Sequence, residues 1–181
     1  MDTMAIPIAV DDAASNLTNF LAKQPLHPYY PLGVELPQYA ANKDSVPYLL
    51  GIFFSVCTVL FTATFYLARR ISPHLSRAEL ASIMWFMLSG CIHMFFEGYY
   101  VSNFIDLASK QTLIGQMWKE YAFSDSRYLT SNAFVLCMES ITAIMWGPGC
   151  ILCAGLMMKR HPARWATALI ISVGQVYGKF A

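Results

Sequence analysis

Apolar residues form long blocks along this chain, separated by short basic turns or longer polar stretches. Residues 47–68 carry no charge, and 22 residues of helix reach about 33 Å, enough to cross the hydrocarbon core of a bilayer. Two further blocks, over about residues 80–101 and 132–158, are also long enough to span. The pattern therefore predicts transmembrane helices in these three places.

A fourth apolar stretch begins at Trp165 and runs toward Ala181, which is short for a complete crossing. Pro148 is expected to kink the third span, a distortion that neighbouring membrane helices tolerate. The predicted fold class is all-α, a polytopic transmembrane helix bundle with four spans. The predicted membrane domain covers residues 46–181, after a non-membrane segment over residues 1–45.

Composition and charge agree with a membrane protein. Hydrophobic residues make up 56% of the chain and charged residues 13%, against about 25% charged in an average soluble domain. The net charge is only +1, and the chain lacks the clustered basic face that phosphate binding needs. Nucleic acid is therefore not an expected partner, whereas the lipid bilayer is.

Two basic turns predict the orientation of the bundle. The turns at residues 69–79 and 159–164 are separated by two spans, so they lie on one side, which the positive-inside rule makes cytoplasmic. The N-terminus and the connection over residues 102–131 then face the lumen or the exterior. Asn16 begins a glycosylation acceptor triplet on that side, a short match that often arises by chance.

Three ionisable residues lie inside the predicted spans: His93, Glu97 and Glu139. A charge at bilayer depth costs roughly 2.5–3.5 kcal/mol, so such residues normally face a bundle interior and have partners. His93 and Glu97 are four residues apart and share a helix face, which Tyr100 extends. Inward-facing helices would therefore bring an imidazole and two carboxyl groups into one apolar cavity.

Spacing alone leaves three interpretations of these residues open. They can form a hydrogen-bonded clamp that orients two helices, which is ordinary in membranes. They can also perform proton-transfer chemistry, or line an ion or proton pathway. A low-dielectric site favours a protonated acid near neutral pH, so the interpretation as proton-transfer residues is somewhat favoured. On the third span, Thr142 and Trp146 share the face of Glu139.

The cysteines and the charged clusters outside the spans do not indicate a functional site. Cys150 and Cys153 have redox or metal spacing, but in an apolar helix without a second pair they indicate packing. No metal and no disulfide is assigned. The charged clusters at residues 118–121 and 125–128 are expected, from composition, to form a solvated loop.

Five separated segments resemble, in order and spacing, the emopamil-binding protein family, the sterol Δ8–Δ7 isomerases of the endoplasmic reticulum. The segments are HPYYP (27–31), CIHMFFEGYYV (91–101), WKEYAFSDSRY (118–128), CMESITAIMWGP (137–148) and SVGQVYG (172–178). The resemblance implies a bundle of five membrane helices around a cavity for a Δ8 sterol. It also implies an isomerase that moves a ring double bond without any cofactor.

The resemblance implies which step of the reaction each cavity residue performs. Moving the double bond requires a proton added at C9, a carbocation at C8 and a proton removed from C7, shielded from water. His93, Glu97 and Glu139 match the family's catalytic positions; His93 and Glu139 are expected to donate and accept the proton, and Glu97 to stabilise the cation. Cationic amphiphilic ammonium compounds, which imitate that cation, are expected inhibitors.

Further positions are candidates for substrate binding. Thr142 matches a supporting position of the family, Tyr100 and Trp146 share helix faces with the acids, and four residues match positions near the cavity mouth. These four residues are Tyr121, Asp125, Arg127 and Tyr128. A homodimer is left open by the resemblance.

The sequence differs from the family pattern in one respect, which changes the activity that we expect of it. Family members continue past the segment at residues 172–178 into a last helix whose asparagine and tryptophan line the cavity, and this chain has neither. The expectation is that the chain is truncated there and that residues 1–181 alone have little isomerase activity. A non-catalytic sterol or ammonium binder is therefore the alternative function. An ion or proton carrier would need a polar path to both faces, which the sequence does not show.

Overall fold

Helices account for most of the described chain. The computed structural model describes residues 27–180, with side chains as far as residue 176, and Asn16 lies outside that range. The helices are α1 (Val46–Ile71), α2 (Arg77–Asn103), α3 (Leu113–Tyr121), α4 (Ala133–Met158) and α5 (Arg164–Phe180). Because α1, α2 and α4 are long and apolar enough to cross a membrane, the predicted all-α membrane fold is confirmed.

Local sequence signals explain where the long helices begin. Pro47 lies in the first turn of α1, where a missing N–H group costs nothing. Ser76 and Glu79 form a reciprocal capping box at the start of α2. The Asn132 side chain accepts hydrogen bonds from the backbone N–H groups of Phe134 and Val135 at the start of α4.

Two of the spans contain a π-helical turn near their middle. In α2 the turn covers Ile92–Glu97, and in α4 it covers Thr142–Trp146. The two turns pack against each other, so the irregular parts of both helices meet in one place. The irregularity expected of α4 at Pro148 therefore takes the form of a π-helical turn that ends two residues before the proline.

Glycines allow α2 and α4 to approach closely beside these turns. A Cβ atom added at Gly147 would lie 2.5 Å from Met94 Cγ and 3.1 Å from the Met94 backbone nitrogen. One at Gly90 would lie 3.0 Å from the Gly147 carbonyl oxygen. Below this contact, Cys150 and Cys153 are fully buried in an apolar core, in the packing role that the sequence indicates.

Residues 27–45 and 104–132 form a cap over the end of the bundle opposite the basic turns. The expectation of a solvated loop at residues 118–121 is wrong for two of its residues: Trp118 and Lys119 are only 2% and 0% exposed. The reason is that α3 is amphipathic and turns the Trp118 side of its surface toward α2. The Lys119 Nζ atom donates a hydrogen bond of 2.6 Å to the Ala40 carbonyl oxygen, which satisfies one of its donors inside the cap.

Candidate functional site

His93 and Glu97 form a direct pair in the π-helical turn of α2. The Nδ1 atom of His93 lies 2.7 Å from Glu97 Oε2, a normal distance for a charge-assisted hydrogen bond. Both side chains are mostly buried, with 16% and 15% of their surfaces exposed. The spacing of four residues therefore produces the expected shared face.

Glu139 lies across from this pair on α4 and has partners of its own. The Tyr128 hydroxyl donates a hydrogen bond of 2.6 Å to Glu139 Oε1. The Thr142 hydroxyl donates to the backbone carbonyl of Glu139 at 2.8 Å and lies 3.4 Å from Glu139 Oε2, so its contact with the carboxyl group is weak. One carboxyl oxygen is thus firmly held, and the other is available to a further partner.

The carboxyl groups of Glu97 and Glu139 are close enough to interact with each other. Two carboxyl groups that interact in an apolar setting can exchange a proton with a bound substrate. Such a pair presents an acid and a base within the same site. Among the described residues, no group of three or more histidine, cysteine, aspartate or glutamate side chains could hold a metal ion.

Aromatic rings form one side of the site. The Trp118 ring stacks on Phe96 at 4.6 Å between centroids and contacts Tyr128 at 4.8 Å, and its indole N–H donates to the Phe96 carbonyl. Tyr100 contacts both Trp118 and Tyr128 at 5.2 Å. Because Trp118 and Tyr100 are buried among the other rings, this aromatic wall forms a closed apolar boundary beside Glu139.

The hydroxyl groups near Glu139 differ in their partners. Burial, followed by the bond to Glu139, raises the pKa of Tyr128 well above its ordinary value, so this phenol remains a donor. Burial also raises the pKa of Tyr121, whose ring contacts Tyr128 at 5.3 Å. The fully buried Tyr100 hydroxyl has no hydrogen-bond partner among the described residues. A polar substrate atom or a water molecule could therefore satisfy it.

Three of the predicted site residues lie apart from the carboxyl groups. Trp146 points away and packs against Gly174 of α5. Arg127 and Asp125 form an ion pair of 2.7 Å at the surface of the cap, and hydrogen bonds from Arg127 lower the pKa of Asp125. The structure therefore brings the other seven together: His93, Glu97, Tyr100, Tyr121, Tyr128, Glu139 and Thr142.

Two side chains at the site were not predicted from the sequence. Trp118 supplies the centre of the aromatic wall, and the pattern of apolar residues along α3 was the signal for its burial. The Gln175 side-chain nitrogen lies 2.9 Å from His93 Nε2 and 3.5 Å from Cys150 Sγ. An amide in an otherwise apolar stretch of α5 was the signal for Gln175.

Comparison with known proteins identifies related sequences. Residues 113–181 match the model of EXPERA, the expanded EBP superfamily. The chain is 35% identical to the 3-beta-hydroxysteroid-Delta(8),Delta(7)-isomerase of Cavia porcellus over 155 residues, which cover 85% of the chain and 68% of the relative. It is 36% identical to the enzyme of that name from Rattus norvegicus over 162 residues, covering 89% and 69%. A protoglabretal synthase of Citrus sinensis is 39% identical over 105 residues, covering 57% and 49%.

Proposed function

Because the chain belongs to the emopamil-binding protein family, we propose that it is a sterol Δ8–Δ7 isomerase, a cholestenol Δ-isomerase, of the endoplasmic reticulum membrane. The relatives from Cavia porcellus and Rattus norvegicus carry that activity in their names. The observation that best supports it here is the interacting pair of Glu97 and Glu139 beside His93. Such a set can give and take a proton in an apolar site without a redox step.

The proposed reaction moves one double bond and conserves every atom. A proton adds to C9 of the Δ8 sterol, the electron pair of the double bond forms the new C–H bond, and the positive charge develops at C8. Loss of a proton from C7 then leaves its electron pair as the C7=C8 double bond. His93 and Glu139 act as the coupled donor and acceptor, and Glu97, which contacts both, stabilises the cation and links them.

The surroundings of the carboxyl groups support this chemistry. The aromatic wall of Phe96, Tyr100, Trp118 and Tyr128 would help to keep water from the cation. An ammonium group on an apolar body imitates that cation, so cationic amphiphilic compounds should bind here and inhibit. A homodimer is retained as a prediction that light scattering in detergent can check.

Sterol conversion in cells tests the proposal. The chain is expressed in cells without their own isomerase, both as it stands and extended by the last helix of a family member. The ratio of Δ8 to Δ7 sterols is followed by mass spectrometry. We expect the extended form to accumulate Δ7 sterol, and Glu139→Gln in that form to reduce its formation roughly 10²–10⁴-fold, because an amide cannot exchange a proton near neutral pH.

A matched control and a binding measurement complete this test. Glu35→Gln makes the same chemical change at an exposed position of the cap and should leave conversion unchanged. Binding of an ammonium amphiphile should largely survive Glu139→Gln. Binding without any conversion by either form of the protein would instead indicate a non-catalytic sterol or ammonium binder. Conversion by Glu139→Gln at the unaltered rate would overturn the role of Glu139.

A further inference from the structure

We propose that Gln175 is a positioning residue that holds His93 as a neutral imidazole with its proton on Nδ1. The inference rests on the contacts of His93 on both of its ring nitrogens. Nδ1 faces Glu97 Oε2 at 2.7 Å, and Nε2 faces the Gln175 side-chain nitrogen at 2.9 Å. The kinetic part of the inference also rests on the proposed isomerase function.

The chemistry of an amide determines the direction of the second bond. The nitrogen of a glutamine side chain carries two hydrogens and accepts no hydrogen bond. His93 Nε2 must therefore be the acceptor, which requires an unprotonated Nε2. Since a carboxylate oxygen can only accept, the proton on the ring belongs on Nδ1, where it is donated to Glu97.

The Gln175 amide nitrogen has a second neighbour, Cys150. The Gln175 nitrogen lies 3.5 Å from Cys150 Sγ, so its second hydrogen also has an acceptor. Cys150 is fully buried, and Gln175 is partly buried. An amide turned by 180° would instead place its oxygen against the Cys150 thiol and against a protonated Nε2, so the protonation of Nε2 distinguishes the two orientations.

The packing of α5 places Gln175 within reach of His93. The residue before it, Gly174, lies against the ring of Trp146 on α4, and a Cβ atom at that position would collide with the indole. His93 and Gln175 are 82 residues apart in the chain, so only this docking of α5 brings them together. Trp146, an expected substrate-binding residue, thereby acts on the site through the position of α5.

The consequence for the reaction is a defined starting state, in which His93 exchanges its proton through Nδ1 and Glu97 while Gln175 holds Nε2. A neutral imidazole leaves the negative charge on the Glu97–Glu139 pair, where it can stabilise the cation. Protonation of Nε2 would create an imidazolium beside Glu97 and neutralise part of that charge. Gln175 opposes this protonation, because an N–H group on Nε2 would face an amide N–H group.

Nitrogen NMR spectroscopy tests the tautomer without relying on activity. The protein is labelled with 15N-histidine, and the signal of His93 is assigned by its loss in His93→Asn. The unaltered protein should show a protonated Nδ1 and an unprotonated Nε2 near neutral pH. Gln175→Glu, which has the same shape but only accepts, should protonate Nε2, and Gln175→Met should shift the Nε2 resonance.

Steady-state kinetics test the consequence for turnover. Gln175→Met should lower kcat roughly five- to tenfold, the effect of one lost hydrogen bond, with KM changed less than about twofold. Gln175→Glu should lower kcat further. Val173→Ala, an exposed position on the same helix, should behave as the unaltered protein and controls for the packing of α5.

The outcomes separate the two proposals. A protonated Nε2 in the unaltered protein, or unchanged His93 resonances in both Gln175 variants, would overturn the inference. An unchanged kcat in Gln175→Met alongside an altered spectrum would overturn the positioning role. If the protein shows the expected tautomer but converts no sterol even in its extended form, the isomerase proposal fails while the assignment of the tautomer is supported.

Discussion

The first membrane-spanning helix differs from the two that follow it, although all three are apolar enough to cross a bilayer. Only 6% of the most apolar stretch of α1 is buried within the protein, against 33% for α4. α1 is α-helical from Val46 to Ile71, whereas α2 and α4 each contain a π-helical turn. The site residues of the membrane lie in or beside those two turns.

An apolar composition therefore does not distinguish a helix that faces lipid from a helix that holds the functional side chains. In the membrane-spanning part of α1, the Ser55 and Thr58 hydroxyls donate to backbone carbonyls four residues earlier in the same helix. Side chains of α2 and α4 also bond across elements, as Glu139 does to Tyr128 and His93 does to Gln175. π-helical turns are rare and are frequent at functional sites, in agreement with this contrast.

The largest effect on sterol conversion should come from removing a charge from α2. Glu97→Gln should lower conversion roughly 10²–10⁴-fold, because it removes the charge proposed to face the cation and leaves His93 with only a neutral acceptor. Thr58→Val on α1 removes a polar group that contacts only its own helix, and it should retain full activity. Sterol ratios in cells measure both. Equal losses in the two variants would show that the contrast between the helices is wrong.

A smaller effect on activity, together with a loss of stability, should come from a substitution at the contact between the two π-helical turns. Gly147→Ala places a Cβ atom 3.1 Å from the backbone nitrogen of Met94, which must shift, so we expect about 1–3 kcal/mol of lost stability and reduced activity.

Two matched glycines lack that neighbour. An added Cβ atom at Gly51 on α1 or Gly155 on α4 meets nothing within 4 Å. Either alanine should raise stability by about 0.5–1 kcal/mol, because glycine weakens a helix interior. Thermal unfolding in detergent compares the three variants, and a Gly147→Ala protein as stable as the other two would contradict close packing of α2 on α4.

The stability of the protein should depend on pH in the alkaline range because of Lys119, which is buried in the cap. Burial lowers the pKa of this lysine, so the unfolded chain holds its proton to higher pH than the folded protein does. Lys119 should therefore make stability rise as pH increases from the folded pKa toward the ordinary value of about 10.4. Melting temperatures between pH 7 and 10 should show a rise of a few degrees that Lys119→Met lacks. A rise of the same size in Lys119→Met would assign it to another group.

The smallest effect should come from the exposed ion pair of the cap. Hydrogen bonds from Arg127 lower the pKa of Asp125, so the pair contributes stability above the ordinary pKa of about 3.9 and loses it as pH falls through the lower folded value. Because the Arg127 side chain is 56% exposed, we expect at most about 0.5 kcal/mol. Asp125→Asn should lose this part of the acid dependence, measured by unfolding at pH 7 and pH 3. A loss of several kcal/mol would show that the pair supports the cap much more strongly.

The positions of the spans and the pairing of His93 with Glu97 could be predicted from the sequence. Both depend on local regularities: the length of an uncharged block and the four-residue repeat of a helix face. The burial of Trp118 and Lys119 could not be predicted in this way, because charged neighbours made the same segment resemble a solvated loop. Their partners, Phe96 for Trp118 and Ala40 for Lys119, lie 22 and 79 residues away.

The sequence by itself determined that this is a membrane bundle, which of its residues are ionisable inside the bilayer, and which family it resembles. These properties depend on composition, period and short motifs, which local chemistry sets. Only the tertiary structure decided that two π-helical turns meet, that rings of the cap and of α2 form one aromatic wall, and that Gln175 reaches His93. The physical reason is that each of these contacts joins elements distant in the chain, whose approach depends on the packing of the whole bundle.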